Sequence, residues 1–187
     1  MMSPSMERAL KLAAVTGLRA ALGPALVAQA GRRPERRNLA LAALGEMVFD
    51  KLPYVPSRDR LLPLLARGAA GAWVASQVVQ AEDGEKDPWA APLGAAVAMG
   101  VAVAAPKVRK SLGWTTGMSQ VVLGLIEDYI ALRVGAEALG MTMGEVGDAA
   151  RESIDDLRRQ LPFEAPALPW SGQGSSSAAY STGAGAM

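Results

Sequence analysis

Residues 88–106 read PWAAPLGAAVAMGVAVAAP, nineteen positions without a charge. That is about the length a helix needs to cross the hydrocarbon of a bilayer. A surface helix of a water-soluble protein shows a polar face at helical spacing, and this stretch shows none. It is built from Ala, Gly and Val, and small residues are the ones that membrane helices place in contact.

Outward from it the same character recurs. Residues 111–126 (SLGWTTGMSQVVLGLI) are also uncharged, and a helical pattern continues to about residue 139. Residues 61–66 and 68–81 form one apolar run interrupted by Arg67, and residues 12–18 and 20–31 form another interrupted by Arg19. A shorter run, 39–49, holds Glu46. The pattern predicts five hydrophobic segments, roughly 12–30, 38–52, 61–80, 89–106 and 114–135. The expected fold class is all-α: a multi-pass helical membrane bundle with an amphipathic C-terminal helix and a flexible tail. A soluble Ala-rich bundle is the competing reading. It draws on Arg19, Glu46, Asp50, Arg67, Glu127 and Asp128, all of which fall inside the segments. At the N-terminus a cleaved signal peptide competes too, with Arg8 and Lys11 ahead of an apolar stretch and Ala28-Gln29-Ala30 as a small-residue site. Arg19 in the middle of that stretch argues against it. Gly23-Pro24 fits a broken membrane helix instead.

Composition narrows the chemistry. The chain has 187 residues, half of them hydrophobic, with 19 Lys+Arg against 18 Asp+Glu. A charge so close to balance argues against generic nucleic-acid binding, which needs a basic excess. Cys and His are both absent. Disulfides, thiolate nucleophiles, structural zinc, His or Cys haem ligation and Ser-His-Asp triads are therefore excluded. No phosphate-binding G-x-x-x-x-G-K-[ST] loop occurs. No cofactor is expected, and nothing marks the chain as an enzyme.

Three regions are expected: a helical membrane domain over 1–140, an amphipathic helix over 141–161, and a Pro/Gly/Ser-rich tail over 162–187. In the middle region Val146, Ala149, Ala150, Ile154, Leu157 and Leu161 recur at helical spacing, with Arg158 and Arg159 near the C-terminal end where the helix dipole favours them. The tail has the composition of a chain without a core of its own. Residues 31–37 carry four Arg, 107–110 carry three bases, and 82–87 carry four acids. The positive-inside rule puts 31–37, 51–60 and 107–110 on the cytoplasmic side and the acidic stretch outside. That conflicts with five full spans. Segment 38–52 resolves the conflict either as a re-entrant half-helix or as a short, charge-tolerant span.

Ionisable residues at membrane depth usually face a bundle interior or water. Glu46 and Asp50, four residues apart, share a helix face. In the fifth segment Thr116, Gln120, Gly124 and Glu127 fall on one helical stripe, which offers a hydroxyl, an amide, a close-approach position and an acid. Arg19 and Arg67 are the natural counter-charges for the acids, Asp128 included. These residues read either as a polar pathway for an ion, proton or small solute, or as a network that neutralises itself and fixes helix register. A third reading lets Asp50, Lys51 and Arg67 snorkel at the interface. A carboxylate metal site is chemically allowed but disfavoured by the bases beside it. Gly23, Gly68, Gly71, Gly94, Gly100 and Gly124 read as helix-packing positions. A faint echo pairs Arg19/Gly23 with Arg67/Gly71.

Gly17-Leu18-Arg19, Glu46 with Asp50-Lys51-Leu52-Pro53, Ala66-Arg67-Gly68 with Gly71-Ala72, and Glu127-Asp128 together resemble a family of small bacterial membrane proteins catalogued as domain of unknown function 4126. The resemblance covers residues 12–135. It implies a compact multi-pass helical membrane protein, in a bacterial inner (cytoplasmic) membrane, and brings no substrate or activity with it.

The expected function is that of a small integral membrane protein, either transporter- or channel-like with a buried acid/base pathway, or an accessory or scaffold subunit of a membrane complex. The expected partners are the lipid bilayer and either further copies of the chain or a larger membrane complex, with no nucleic acid.

Overall fold

Pro24 dictates the first feature of the architecture. In a continuous helix its ring would crowd the carbonyl of residue 20, so a helix running through residues 20–24 would be kinked or broken there. The computed structural model describes residues 2–49 and 61–160, and for Phe49 the backbone alone. In it α1 (Pro4–Leu18) stops ahead of that obstacle and α2 (Leu22–Ala30) starts with Pro24 in its first turn, where a missing N–H costs nothing. Arg19, between them, is extended (φ −137°, ψ 107°). Ser3 opens α1 by accepting a hydrogen bond from the Met6 amide at 3.2 Å. There follow α3 (Arg36–Phe49), α4 (Leu61–Asp83), α5 (Ala90–Thr116), α6 (Gln120–Ala138) and α7 (Met143–Gln160). The described residues are thus all-helical, with no strand among them.

Side-chain neighbours give the direction of each helix. Gly23 lies against Thr16 and the Leu12 carbonyl, and Val27 shares a core with Met6, Ala9 and Leu12, so α2 doubles back along α1. Ala43 packs with Leu22, Ala25 and Leu26, so α3 reverses again. A Cβ on Gly71 would come within 2.6 Å of the Gly94 carbonyl, and one on Gly94 within 2.5 Å of the Gly71 carbonyl. The backbones of α4 and α5 therefore touch, antiparallel, which only Gly permits. Gly17 lets α1 approach Ala98 and Val101 of α5 in the same way. Gly68 meets Met99, and Gly124 is buried in α6. Gly100 differs from the expectation: it faces open space and no helix of this chain.

Several expected segments change shape. Residues 12–30 are a helical hairpin rather than one crossing. Helix α5 does not stop at Pro106 but runs on to Thr116, about 40 Å at 1.5 Å per residue. Gly117, left-handed at φ 69°, ends it by donating its N–H to the Gly113 carbonyl at 3.0 Å. The last apolar segment begins at Gln120 rather than 114, with Ser119 as its cap. Residues 107–110 are consequently helix, not a connection. The doubling-back of α2 also changes parity. The basic 31–37 and acidic 82–87 connections share one end of the bundle, where Arg8 pairs with Glu82 at 3.0 Å and Ser5 donates to Asp83 at 2.7 Å. At that end too, Arg33 bonds Gln77 and lies 5.3 Å over the Trp73 ring. The opposite-sided layout drawn from charge is thereby corrected.

The expected helix at 141–161 appears as α7, packed on α3 through Arg37, which reaches Asp156 at 2.7 Å and Glu152 at 3.3 Å. Asp50, the Lys51-Leu52-Pro53 motif, Leu161 and the tail 162–187 lie outside the described residues. Among those described, α5 alone is long and apolar enough to cross a membrane, and only 17% of its apolar window is buried.

Candidate functional site: a buried charge centre at a helix turn

The α1–α2 turn carries two problems that the fold must solve. It drives an arginine into the interior, and it leaves the amides of Ala20 and Ala21, just ahead of α2, without helical acceptors. Arg19 is wholly buried, at 0% exposure. Its Nε donates to Asp128 Oδ1 at 2.5 Å, and Nη2 pairs with the same carboxylate. Its Nη1 lies 3.8 Å from Glu127 Oε1 and donates to the Leu18 carbonyl at 3.3 Å. A fork of this kind, held by two neighbouring carboxylates of one helix, is the geometry in which guanidinium burial is tolerated.

Glu46 solves the second problem. Its two oxygens accept from the amides of Ala20 and Ala21, each at 2.9 Å, and it also receives Arg67 Nη2 at 3.2 Å. A carboxylate at the positive end of a helix is favoured by both the free N–H groups and the dipole. Arg67 also donates to the Pro63 carbonyl at 3.4 Å. The turn is thus clamped from α3, α4 and α6 at once.

Of the residues singled out from sequence, Arg19, Glu46, Arg67, Glu127 and Asp128 meet here. Thr116 and Gln120 do not. Thr116 ends α5, with its hydroxyl donating to the Leu112 carbonyl at 2.6 Å, and Gln120 starts α6. The stripe that joined them to Glu127 required one helix, and Gly117 divides it. Asp50 lies outside the described residues. The echo between Arg19/Gly23 and Arg67/Gly71 gains a spatial sense: each arginine enters the centre, and each glycine sits at a close helix contact.

One member was missed. Arg109 pairs through Nη2 with Glu127, completing a chain Asp128–Arg19–Glu127–Arg109. In the sequence it sits in a basic KVRK run and reads as a connection. Its signal was spacing: Ala98, Ala102, Ala105 and Arg109 fall on one helical face once the helix is carried through Pro106. No cluster of three or more metal-ligating side chains lies among the described residues.

Compared with protein-family models, with curated proteins and with solved structures, the chain matches none. The functional reading therefore rests on the geometry of this centre and of the surface around it.

Proposed function

We propose that the chain is a membrane-embedded helical protein, transporter- or channel-like, with the α1–α2 turn and its charges as the working site. The observation that carries the reading is the position of a broken helical hairpin. Its polar turn is half-buried against three other helices, with a wholly buried arginine and a carboxylate on the freed amides. Non-helical backbone at membrane depth is tolerated only inside protein or beside water. Discontinuous helices with charged ends are where transporters hold solutes. The largely exposed apolar surface of α5 supports the membrane location, because a core helix of a soluble protein would be covered. Membership of the domain of unknown function 4126 family belongs to the same proposal. Four of its matching motifs supply Arg19, Glu46, Arg67 and Glu127-Asp128 to the one centre.

The test is reconstitution in sealed vesicles with flux measured for protons, common ions and small charged solutes. Glu46→Gln should abolish a flux that the parent chain supports while membrane insertion, scored by carbonate resistance, is unchanged. Equal flux from parent and variant would refute the pathway.

A second reading, an accessory subunit of a membrane complex, is favoured by a different observation. The α5–α6 turn presents Leu112, Trp114, Met118, Val121 and Val122 to the outside, Trp114 at 84% exposure. Such a surface suits a protein partner as well as lipid. Cross-linking in native membranes separates the two, since an accessory subunit must appear in a larger species and a self-contained transporter must not.

A further inference from the structure

A groove of about 350 Å³ lies between α5 and α6. Its walls are apolar: Leu18, Val101, Val108, Leu112, Leu123 and Ile126. The two charged side chains that reach it are Arg109 and Glu127, the outer link of the buried charge chain. A volume at the lower end of the range for small-molecule sites, with apolar walls and one convergent polar point, is the general form of a ligand pocket.

The polar point is incomplete. Arg109 gives Nη2 to Glu127, but its Nε is buried with no acceptor among the described residues. A buried donor without a partner is costly, and a small rotation of the Arg109 side chain, which lines the groove, would bring it to an acceptor from a ligand there. The surrounding charge selects the kind of acceptor. Residues 107–110 bring three cations, and Glu127 pairs with one of them; Lys107 and Lys110 are exposed and in no ion pair among the described residues. Among the described residues this stretch of α5, with Lys107 and Lys110 beside the groove lining, carries a cationic excess that favours an anion.

We propose that this groove binds a long-chain fatty acid, with the acyl chain along the α5–α6 walls and the carboxylate on the Arg109 guanidinium. A carboxylate can take the Nε–H while Glu127 keeps the Nη2 edge, since a guanidinium offers five donors in a planar fork. The aliphatic walls supply affinity without chemical selectivity, and the arginine supplies the selectivity for a charged head. The site adjoins the solute pathway above and shares Arg109 and Glu127 with its charge chain, but its labelling readout stands whether or not flux is found.

The full chain in nanodiscs of zwitterionic phosphatidylcholine is exposed to palmitate bearing a photoreactive diazirine on its chain, and adducts are mapped by mass spectrometry. Saturable labelling within 101–112 and 123–130, displaced by unlabelled palmitate and about tenfold less by methyl palmitate, is expected. Arg109→Gln should weaken displacement about tenfold or more, with partial retention in Arg109→Lys. Because Arg109 also holds Glu127, a second variant leaves it in place. Val108→Trp fills the groove and should remove the labelling while circular dichroism stays that of the parent. Labelling spread evenly over the outer faces of α5 and α6, or untouched by Val108→Trp, means ordinary lipid contact and overturns the proposal. Equal competition by palmitate and its methyl ester overturns the role of Arg109.

Discussion

Two of the helical hairpins among the described residues, α1–α2 and α5–α6, solve the same problem in opposite ways. In α1–α2 the turn is half-buried and its arginine wholly so. Its free amides are taken by a side chain from elsewhere in the chain, Glu46, and its arginine by Asp128, a residue 109 positions away in sequence. In α5–α6 the turn is exposed and closes itself: Gly117 supplies a left-handed residue, and Ser119 accepts from the Val122 amide at 3.3 Å. The first hairpin is defined by long-range partners and the second by local chain chemistry. A turn that needs three other helices to satisfy it cannot form early or alone, whereas a self-capped one can.

The contrast is broken most severely at Asp128. Asp128→Ala leaves Arg19 buried with Glu127 as its remaining acid among the described residues, and should cost about 3–5 kcal/mol of stability, read from unfolding in detergent followed by circular dichroism. Pairing it with Arg19→Met should return much of the loss, because removing both charges removes the desolvation cost as well. A double variant as unstable as the single one would mean the pair itself, not the orphaned charge, carries the stability. Glu46→Ala comes next. It strips the acceptor from two amides and from Arg67 and should cost about 2–3 kcal/mol. Loss confined to a few tenths would show that water replaces the carboxylate and that the turn is not dry.

The same contrast explains what could be read from sequence. The α5–α6 region was legible as apolar helix because its pattern is local, yet its boundaries were misplaced. Pro106 looked like a terminator, but the helix absorbs it, while the actual stop is Gly117, one glycine among several in the segment. The pair Gly23-Pro24 carried the α1–α2 break openly. What it did not carry was direction: nothing local says that α2 folds back on α1 rather than continuing at an angle, and that decision rests on the packing of Gly23 against Thr16. Charge at the connections misled for the same reason, since parity depends on a tertiary turn. Arg19, Glu46, Arg67, Glu127 and Asp128 were recognisable because a charge inside an apolar run is expensive wherever it goes. Arg109 was hidden because three adjacent bases resemble a solvated loop.

Glycines sharpen the comparison at smaller scale. Gly71→Ala should cost about 1–3 kcal/mol, since its Cβ would sit 2.6 Å from the Gly94 carbonyl and α4 and α5 would have to separate. Gly100→Ala, on the same helix pair but facing open space, should be neutral or stabilise by up to about 1 kcal/mol through reduced chain entropy. A large loss at Gly100 would point instead to a contact outside this chain, as the accessory reading requires.

The smallest expected effect lies in α7, whose start is self-capped like the α5–α6 turn. Thr142 and Glu145 form a reciprocal box: Glu145 Oε2 accepts from the Thr142 amide at 2.7 Å, and the Thr142 hydroxyl accepts from the Glu145 amide at 3.2 Å. Hydrogen bonding to the charged form, first from the Thr142 backbone and then from its hydroxyl, holds the Glu145 carboxyl below its ordinary value of 4.5. A carboxylate depressed in the folded state stabilises it fully above the unfolded value and loses that contribution as pH falls through the folded one. The cap should therefore be intact at neutral pH and weaken as pH drops below 4.5, with faster amide exchange in the first turn of α7 and little change in α1–α6. Glu145→Gln should remove most of that pH dependence. If exchange in α7 still rises with acid in that variant, the responsible carboxylates are those at the far contact with α3, Glu152 and Asp156 on Arg37, and the anchoring of α7 is long-range after all.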